Sequence, residues 1–430
     1  MDTPVIEVRI WGRRVGAVAP DPRLGSYVFA YDPAWRRTGI ELAPLTMPLD
    51  DLRPSFAFPE LAEPSYKRLP GLLADALPDD FGNALIDAWM AARGVEKRAI
   101  STLDRLAYMG KRGMGALEFK PARGAHREST EPLGMKNLVE ASRQVVHGDL
   151  SGDVQAQAAL ANIIRVGTSA GGARAKAVVA WNPQTDQIRS GQFDAAAGFE
   201  HWLLKFDGVG KDSELGGSAD YGRIEYAYHL MAQAAGIRMS PCRLLEESGR
   251  AHFMTRRFDR DVTDGQTIKH HVQTLCAMSH LDYKQRATHA YAQLFMAIAH
   301  LKLGDEANSQ AFRRMAFNVM AKNCDDHSKN FAFRLKQDGA WELAPAYDVT
   351  HAYNPKGEWT YQHLMSVNGK FSGITRADLL AEADRFSVRR PKDVLTDVSA
   401  ALDHWPDFAK QAGLGEKAID DIRADFELKG

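Results

Sequence analysis

Asp325, Asn330 and Asp348 are the residues whose types and spacing promise chemistry. The stretch Asn323-Cys324-Asp325-Asp326-His327-Ser328-Lys329-Asn330-Phe331-Ala332 sets an amide five positions after a carboxylate, and Ala344-Pro345-Ala346-Tyr347-Asp348-Val349 sets a second carboxylate eighteen positions beyond that amide. An Asp that orients a hydroxyl, with an Asn and a further Asp that hold Mg²⁺, is the cast of phosphoryl transfer. Magnesium is a hard ion that takes oxygen ligands and keeps several waters, so one amide oxygen and one carboxylate suffice when nucleotide phosphates supply the rest. Lys329 adds a fixed positive charge near the transferred group, where charge stabilises the transition state. Taken alone, an Asp-Asp-His turn does no more than satisfy local backbone groups. The whole Asp-x-His-x-Lys-Asn and Tyr-Asp-Val set moves the reading to phosphoryl transfer.

The elements that must position these groups are legible around them. The catalytic-loop candidate lies between an apolar helical run, Phe317 to Ala321, and an alternating run, Phe331 to Leu335. Upstream, the glycine-rich turn Val166 to Lys176 runs into the strand-like Ala177-Val178-Val179-Ala180-Trp181. Glycines there let backbone N–H groups close around phosphate oxygens, although the turn matches neither of the standard phosphate-loop patterns. His201-Trp202-Leu203-Leu204-Lys205-Phe206 reads as a short strand ending in a lysine, the place from which a kinase lysine pairs the α and β phosphates. A strand-end lysine that simply reaches water is common. The order decides: glycine turn, Lys strand, helix, hinge, catalytic loop and metal Asp follow the order of a two-lobed kinase. On the helix Tyr221 to Ala235, ending at Gly236, Glu225 is a candidate partner for Lys205, and an exposed helix Glu without that job is an equal reading.

Together Ser169-Ala170-Gly171-Gly172-Ala173-Arg174-Ala175-Lys176, Trp202-Leu203-Leu204-Lys205-Phe206, Met254-Thr255-Arg256-Arg257-Phe258-Asp259-Arg260, the Asn323 to Phe331 stretch and Leu343 to Val349 make a specific set. On these motifs the chain resembles the HipA family of serine/threonine kinase toxins from bacterial toxin–antitoxin modules, from its first strands to about Phe386. The resemblance implies Asp325 as catalytic base, Asn330 and Asp348 as Mg²⁺ ligands and Lys205 as the nucleotide lysine. It implies that Gly171, Gly172, Ala173, Arg174, Ala175 and Lys176 cover the ATP phosphates and that Arg256, Arg257 and Phe258 line the adenine hinge, with His327, Lys329 and Tyr347 also on the nucleotide side. Ser169 aligns with the serine that family members autophosphorylate, which pulls the loop out and silences the kinase. Ala175 stands where relatives often have Pro or an acid, and Arg256 where some have Glu.

Composition bounds the rest. The 430 residues exceed the usual single-core limit. A balance of 54 Lys and Arg against 55 Asp and Glu gives a net charge of −1, with no global attraction to a phosphate backbone. Cys242, Cys276 and Cys324 are too few and too far apart for a disulfide framework or zinc site. Neither a leader-like N-terminus nor a run of membrane-spanning length is present, so the chain is expected in the cytoplasm. Val5 to Trp11, Val15 to Ala19 and Tyr27 to Tyr31 alternate as a three-stranded meander. Phe81 to Ala92 reads as a helix after Pro78-Asp79-Asp80, and Ala122 to Pro132 as a linker. Helical patterns at Met135 to Val146 and Val154 to Ile164 lead into the glycine turn. Arg286 to Leu303, Glu306 to Lys322 and Thr375 to Glu427 are helical in pattern. Adjacent His270 and His271 point in different directions and cannot easily share one metal, and Arg389-Arg390-Pro391-Lys392 is a short basic cluster of the kind usually solvated.

The expected fold is α+β: a two-lobed protein-kinase-like arrangement with an added N-terminal β-rich subdomain, 1–124, a small lobe, 125–258, and a mostly helical large lobe, 259–430. Three functional readings stand. The first is an ATP- and Mg²⁺-dependent serine/threonine protein kinase acting as a toxin, which phosphorylates an aminoacyl-tRNA synthetase, glutamyl-tRNA synthetase first, arrests growth and promotes persistence. Its expected partner is a HipB-like helix-turn-helix antitoxin, with DNA reached only through that complex and no membrane contact. The second is a kinase-shaped co-repressor that docks the antitoxin on DNA. The third is a small-molecule kinase. Keeping Asp325, Asn330, Asp348 and Lys205 together argues against a purely non-catalytic protein.

Overall fold

The computed structural model describes residues 5–123, 134, 137–139, 142, 175–192, 194–207, 220–247, 249–263, 266–337 and 339–428. The chain forms two compact units, each assembled from separated stretches: Met1–Gly210 with Met254–Gln273 and Arg334–Ala340, and Lys211–Phe253 with Thr274–Phe333 and Trp341–Gly430. The expected α+β class, β-rich at the N-terminus and helical at the C-terminus, is what the structure shows.

In the first unit, Ile6–Ile10 buries every second residue, as a strand with one face on a core must. It turns through Trp11 and Gly12, both at positive φ, so that Ile10 pairs with Arg13 across the two-residue loop that suits the right-handed twist of paired strands. Arg13–Asp21 and Ser26–Tyr31 complete the expected meander. A fourth strand, Leu117–Lys120, adds to the free edge of the first. Its contribution is invisible to local patterning because its partner lies over a hundred residues away in the chain. Asp79 caps the helix Asp80–Ala91 by accepting the Gly82 N–H at 2.7 Å, and Gly94 ends the turn beyond it at φ 75°. The strands Lys176–Trp181 and Glu200–Lys205 pair antiparallel, with Ile188–Ser190 on the outer side. Lys176–Trp181 is buried throughout, which explains its unbroken apolar run.

A buried ion cluster ties this unit together. Arg257 donates two hydrogen bonds to the Asp259 carboxylate at 2.9 and 2.7 Å, Arg260 a third at 2.8 Å and the Gly115 N–H a fourth at 2.7 Å. The guanidiniums continue to the Gly113 and Gly115 carbonyls. Burial alone would raise the Asp259 pKa, but Arg257 and Arg260 outweigh it and hold the carboxyl far below its ordinary range. His270 Nε2 lies 2.7 Å from the Asp261 carboxylate, and His271 is a separate buried side chain whose pKa burial pushes down to about 4. The two histidines therefore do different structural jobs.

The second unit is mostly helical. Tyr221–Ala234 packs against the strand through Ala251 so closely that a Cβ at Gly222 would lie 2.0 Å from the Ala251 carbonyl oxygen. Tyr291–His300 and Gly304–Met320 follow, the first shorter than its sequence pattern because Arg286 to Ala290 is extended or turn. The C-terminal run divides into Arg376–Arg385, Pro391–Asp403, Trp405–Gln411 and Glu416–Asp425. Tyr228, Phe317, Trp405 and Phe426 form an edge-to-face aromatic core, the geometry that ring quadrupoles favour. Of the basic cluster, Arg389 pairs with Asp305 and Arg390 with Asp393 at the surface. Among the described residues no helix is long and apolar enough to cross a membrane.

Removing Asp259 leaves two guanidiniums buried without their anion, so Asp259→Ala should lower stability by roughly 3–5 kcal/mol. A urea midpoint within error of the wild type would contradict this role.

Candidate active site

The loop that carries Asp325 is held at both ends before its chemistry begins. After Gly304–Met320, Lys322 turns the chain at φ 55°, and the Cys324 N–H donates to the Ala352 carbonyl at 3.0 Å. Downstream, the buried Ser328 hydroxyl donates to the Leu281 carbonyl at 2.7 Å, Ser328–Asn330 makes one 3₁₀ turn, and the strand Ala332–Leu335 begins. Between these anchors the Asn330 amide nitrogen donates to the Asp325 backbone carbonyl at 2.7 Å, which turns the amide oxygen the other way.

The second carboxylate is tied to the same loop. Arg314 donates to the Ala344 carbonyl at 2.7 Å and the Ala346 N–H to the Arg238 carbonyl at 2.8 Å, fixing the approach to Asp348. The Tyr347 hydroxyl then donates to the Lys329 carbonyl at 2.8 Å, next to Asn330. Asp348 itself adopts φ 52°, a left-handed conformation that Asp tolerates better than most residues. Burial raises the Asp325 pKa. His327 and the Trp359 hydrogen bond work against that rise, and the charges of Asp348 and Asp326 add to it. Asp325, Asn330 and Asp348 are thus brought into one neighbourhood.

Around them, His327 Nε2 stands 3.7 Å from Asp325 Oδ1, while the Lys329 ammonium sits over the Tyr283 ring at 5.1 Å. Sequence reasoning missed Trp359, whose indole N–H donates to Asp325 Oδ1 at 2.9 Å. It also missed the buried side of the loop. Asp326 accepts from the Tyr291 hydroxyl at 2.7 Å, from the Leu364 N–H at 2.7 Å and from His363 Nδ1 at 2.9 Å. Trp359 and His363 lie more than thirty positions downstream, with no motif to flag them. The consecutive acids at 325 and 326 were the available sign that one would face inward.

Of the expected nucleotide-side residues, Lys176, Lys205, Arg256, Arg257 and Phe258 belong to the other unit. Lys176 and Lys205 are direct cross-strand partners, so both side chains leave the same face of their sheet. The Lys176 ammonium stands 3.5 Å from the Asp79 carboxylate, both buried. Ala175 precedes this strand and accepts the Phe206 N–H at 3.0 Å. Ser169, Gly171, Gly172, Ala173 and Arg174 lie outside the described residues, as do the 124–132 part of the expected linker and most of the two helical patterns that follow it. Arg256 pairs at the surface with Glu200 at 3.6 Å. Arg257 belongs to the Asp259 cluster, and the Phe258 carbonyl accepts from Arg334. Glu225 is buried on Tyr221–Ala234.

The family model of the HipA-like C-terminal domain matches residues 168–427, and that of the HipA N-terminal domain matches residues 6–120. The chain belongs to the HipA family. A solved HipA structure from Shewanella oneidensis MR-1, described as a toxin–antitoxin system of HipA, HipB and operator DNA, is 16% identical with a TM-score of 0.62, covering 97% of this chain and 95% of that one. At that identity the likeness shows a shared fold. The Helicobacter pylori proinflammatory kinase CtkA is 10% identical over 53% of this chain and 88% of its own, at a TM-score of 0.34 that supports no inference. No curated protein gives a significant match. Within the HipA C-terminal match lie both Asp325 and its buried neighbour Asp326, together with Trp359 and His363.

Burial alone would lower the His363 pKa, but the Asp326 carboxylate outweighs it and raises the imidazole from 6.5 to about 10. Because the folded pKa lies above the unfolded one, this pair's stabilisation is complete below about pH 6.5 and is lost as pH climbs toward about 10. Thermal midpoints measured across that window should fall more steeply for the wild type than for His363→Gln. Parallel curves would show that the imidazolium does not contribute.

Proposed function

We propose that this chain is an ATP- and Mg²⁺-dependent serine/threonine protein kinase, the toxin of a toxin–antitoxin module. The observation that carries this reading is the convergence of Asp325, Asn330 and Asp348 through the Asn330 bond to the Asp325 carbonyl and the Tyr347 bond to the Lys329 carbonyl. Such a set positions an acceptor hydroxyl and a nucleotide without forming a covalent intermediate, and positioning with electrostatics is most of what phosphoryl transfer needs.

Asp325 is the group proposed to orient the acceptor hydroxyl and receive its proton. About a third of its side chain remains exposed, so an incoming hydroxyl can reach it, and Trp359 fixes one of its oxygens. Asn330 and Asp348 would hold Mg²⁺, which supplies charge neutralisation at the phosphates when bound. The residues fit that ion: the Asn330 amide nitrogen is spent on the Asp325 carbonyl, leaving the hard oxygen donor. Lys205 would pair the nucleotide phosphates. Its cross-strand pairing with Lys176 sets two cationic side chains on one face of the sheet, in keeping with an anionic ligand on that face.

On family resemblance the substrate is an aminoacyl-tRNA synthetase, glutamyl-tRNA synthetase first, whose phosphorylation would inhibit translation and promote persistence. The Shewanella HipA is described together with HipB and operator DNA, which supports a helix-turn-helix antitoxin as this chain's partner. A net charge of −1 favours leaving groove reading to that partner.

Asp325→Asn should keep ATP binding and lose at least about 100-fold in phosphoryl transfer. Intact-mass analysis after expression should find a phosphate on Ser169 in the wild type and none in Asp325→Asn. Undiminished turnover in the variant would remove Asp325 from its role, and full wild-type activity without phosphate on Ser169 would remove the switch. For the metal, ATP titrations with and without Mg²⁺ should show Asp348→Ala losing most of the Mg²⁺ dependence and Asn330→Ala mainly losing rate, because a carboxylate supplies charge that an amide lacks. Equal Mg²⁺ dependence in the wild type and Asp348→Ala would contradict the assignment.

A further inference from the structure

We propose that Asp326 and His363 are positioning residues for Asp325, a buried ion pair that sets where the candidate base stands without itself touching substrate. The inference rests on the kinase reading for its kinetic consequence and on geometry for everything else. Asp326 and His363 are 1% and 2% exposed, so neither can meet an acceptor or a nucleotide. Yet Asp326 is the residue next to Asp325, and fixing one fixes the backbone from which the other extends.

The wiring is specific. Asp326 Oδ2 takes the Tyr291 hydroxyl and His363 Nδ1, and Oδ1 takes the Leu364 N–H. Tyr291 accepts in turn from the Asn318 amide at 3.0 Å, and Asn318 accepts from Asn323 at 2.9 Å. The loop is therefore referenced through one carboxylate to the helices Tyr291–His300 and Gly304–Met320. On its other side, residues 359 to 364 supply donors to both acids: Trp359 to Asp325, and His363 with Leu364 to Asp326. One short segment thus sets both carboxylates, and the ion pair is its anchor. A purely neutral acceptor at 326 would take the same hydroxyl and N–H but would forgo the charge-assisted bond that holds the segment.

Removing the imidazole leaves the Asp326 carboxylate buried with two neutral donors, and the segment bearing Trp359 loses its anchor. Displacements of about 1 Å at a reacting group cost on the order of 100-fold in rate. His363→Ala should therefore lower kcat roughly 10- to 100-fold with the KM for ATP within about twofold of the wild type. His363→Asn places an amide N–H where Nδ1 stands but carries no charge, so it should restore only part of the loss. A second readout does not need activity: the Trp359 indole N–H resonance in ¹⁵N-labelled protein, assigned with Trp359→Phe, reports its bond to Asp325. It should shift or broaden in His363→Ala and return partway toward the wild-type position in His363→Asn.

A folded His363→Ala with wild-type kcat and an unmoved indole resonance would overturn the proposal, as would a loss confined to the KM for ATP. If His363→Ala does not fold, Asp326→Asn, which keeps an acceptor for Tyr291 and Leu364 but removes the ion pair, should move the resonance partway and lower kcat severalfold. No change in either would also overturn it. Should the wild type transfer no phosphate at all, the kinase reading falls, while the indole resonance still decides whether the pair positions Asp325.

Discussion

Charge removed from water must be answered where it lies, and in each unit one buried carboxylate imposes that constraint on the elements around it. A lone buried carboxylate is unfavourable by several kcal/mol, so its donors cannot move independently. Asp326 draws Tyr291, His363 and the Leu364 N–H to one point, and Asp259 draws Arg257, Arg260 and the Gly115 N–H to another. These are places where chain segments distant in sequence have no freedom to slip.

The loop bearing Asp325 shows how such a constraint shapes the candidate site. Two consecutive acids meet opposite environments, one a third exposed and the other sealed. The Asp325 carboxylate stays open to solvent while the buried Asp326 takes the structural donors around the turn. Anchoring by the Cys324 N–H and the Ser328 hydroxyl, with the Asn330 bond to the Asp325 carbonyl, fixes the geometry of the candidate site. Preorganisation of this kind is what electrostatic catalysis requires.

The lysine face of the other unit follows different physics. Lys176–Trp181 is an inner strand of its sheet, buried throughout, and Lys176 and its cross-strand partner Lys205 leave one face of that sheet together. Asp79 serves two ends at once, capping its helix with one oxygen and facing Lys176 with the other. The expected adenine-hinge residue Arg257 is already committed to the buried Asp259 cluster, whereas Arg256 and Phe258 are half-buried.

The local elements and the residues expected at the candidate site were legible in the chain before folding. Alternation in Ile6–Ile10, the Asp79 cap and the spacing of Asp325, Asn330 and Asp348 are properties of neighbouring residues, and the pleat of a strand or the turn of a helix reads them directly. Only the tertiary structure decided which distant groups complete them. Leu117–Lys120 joins the first sheet, Trp359 takes hold of Asp325, and His363 neutralises Asp326. Each of these pairings depends on chain closure over tens of residues or more. No local periodicity encodes it, because what selects the partner is the cost of leaving a strand edge or a carboxylate unsatisfied once the fold has buried it.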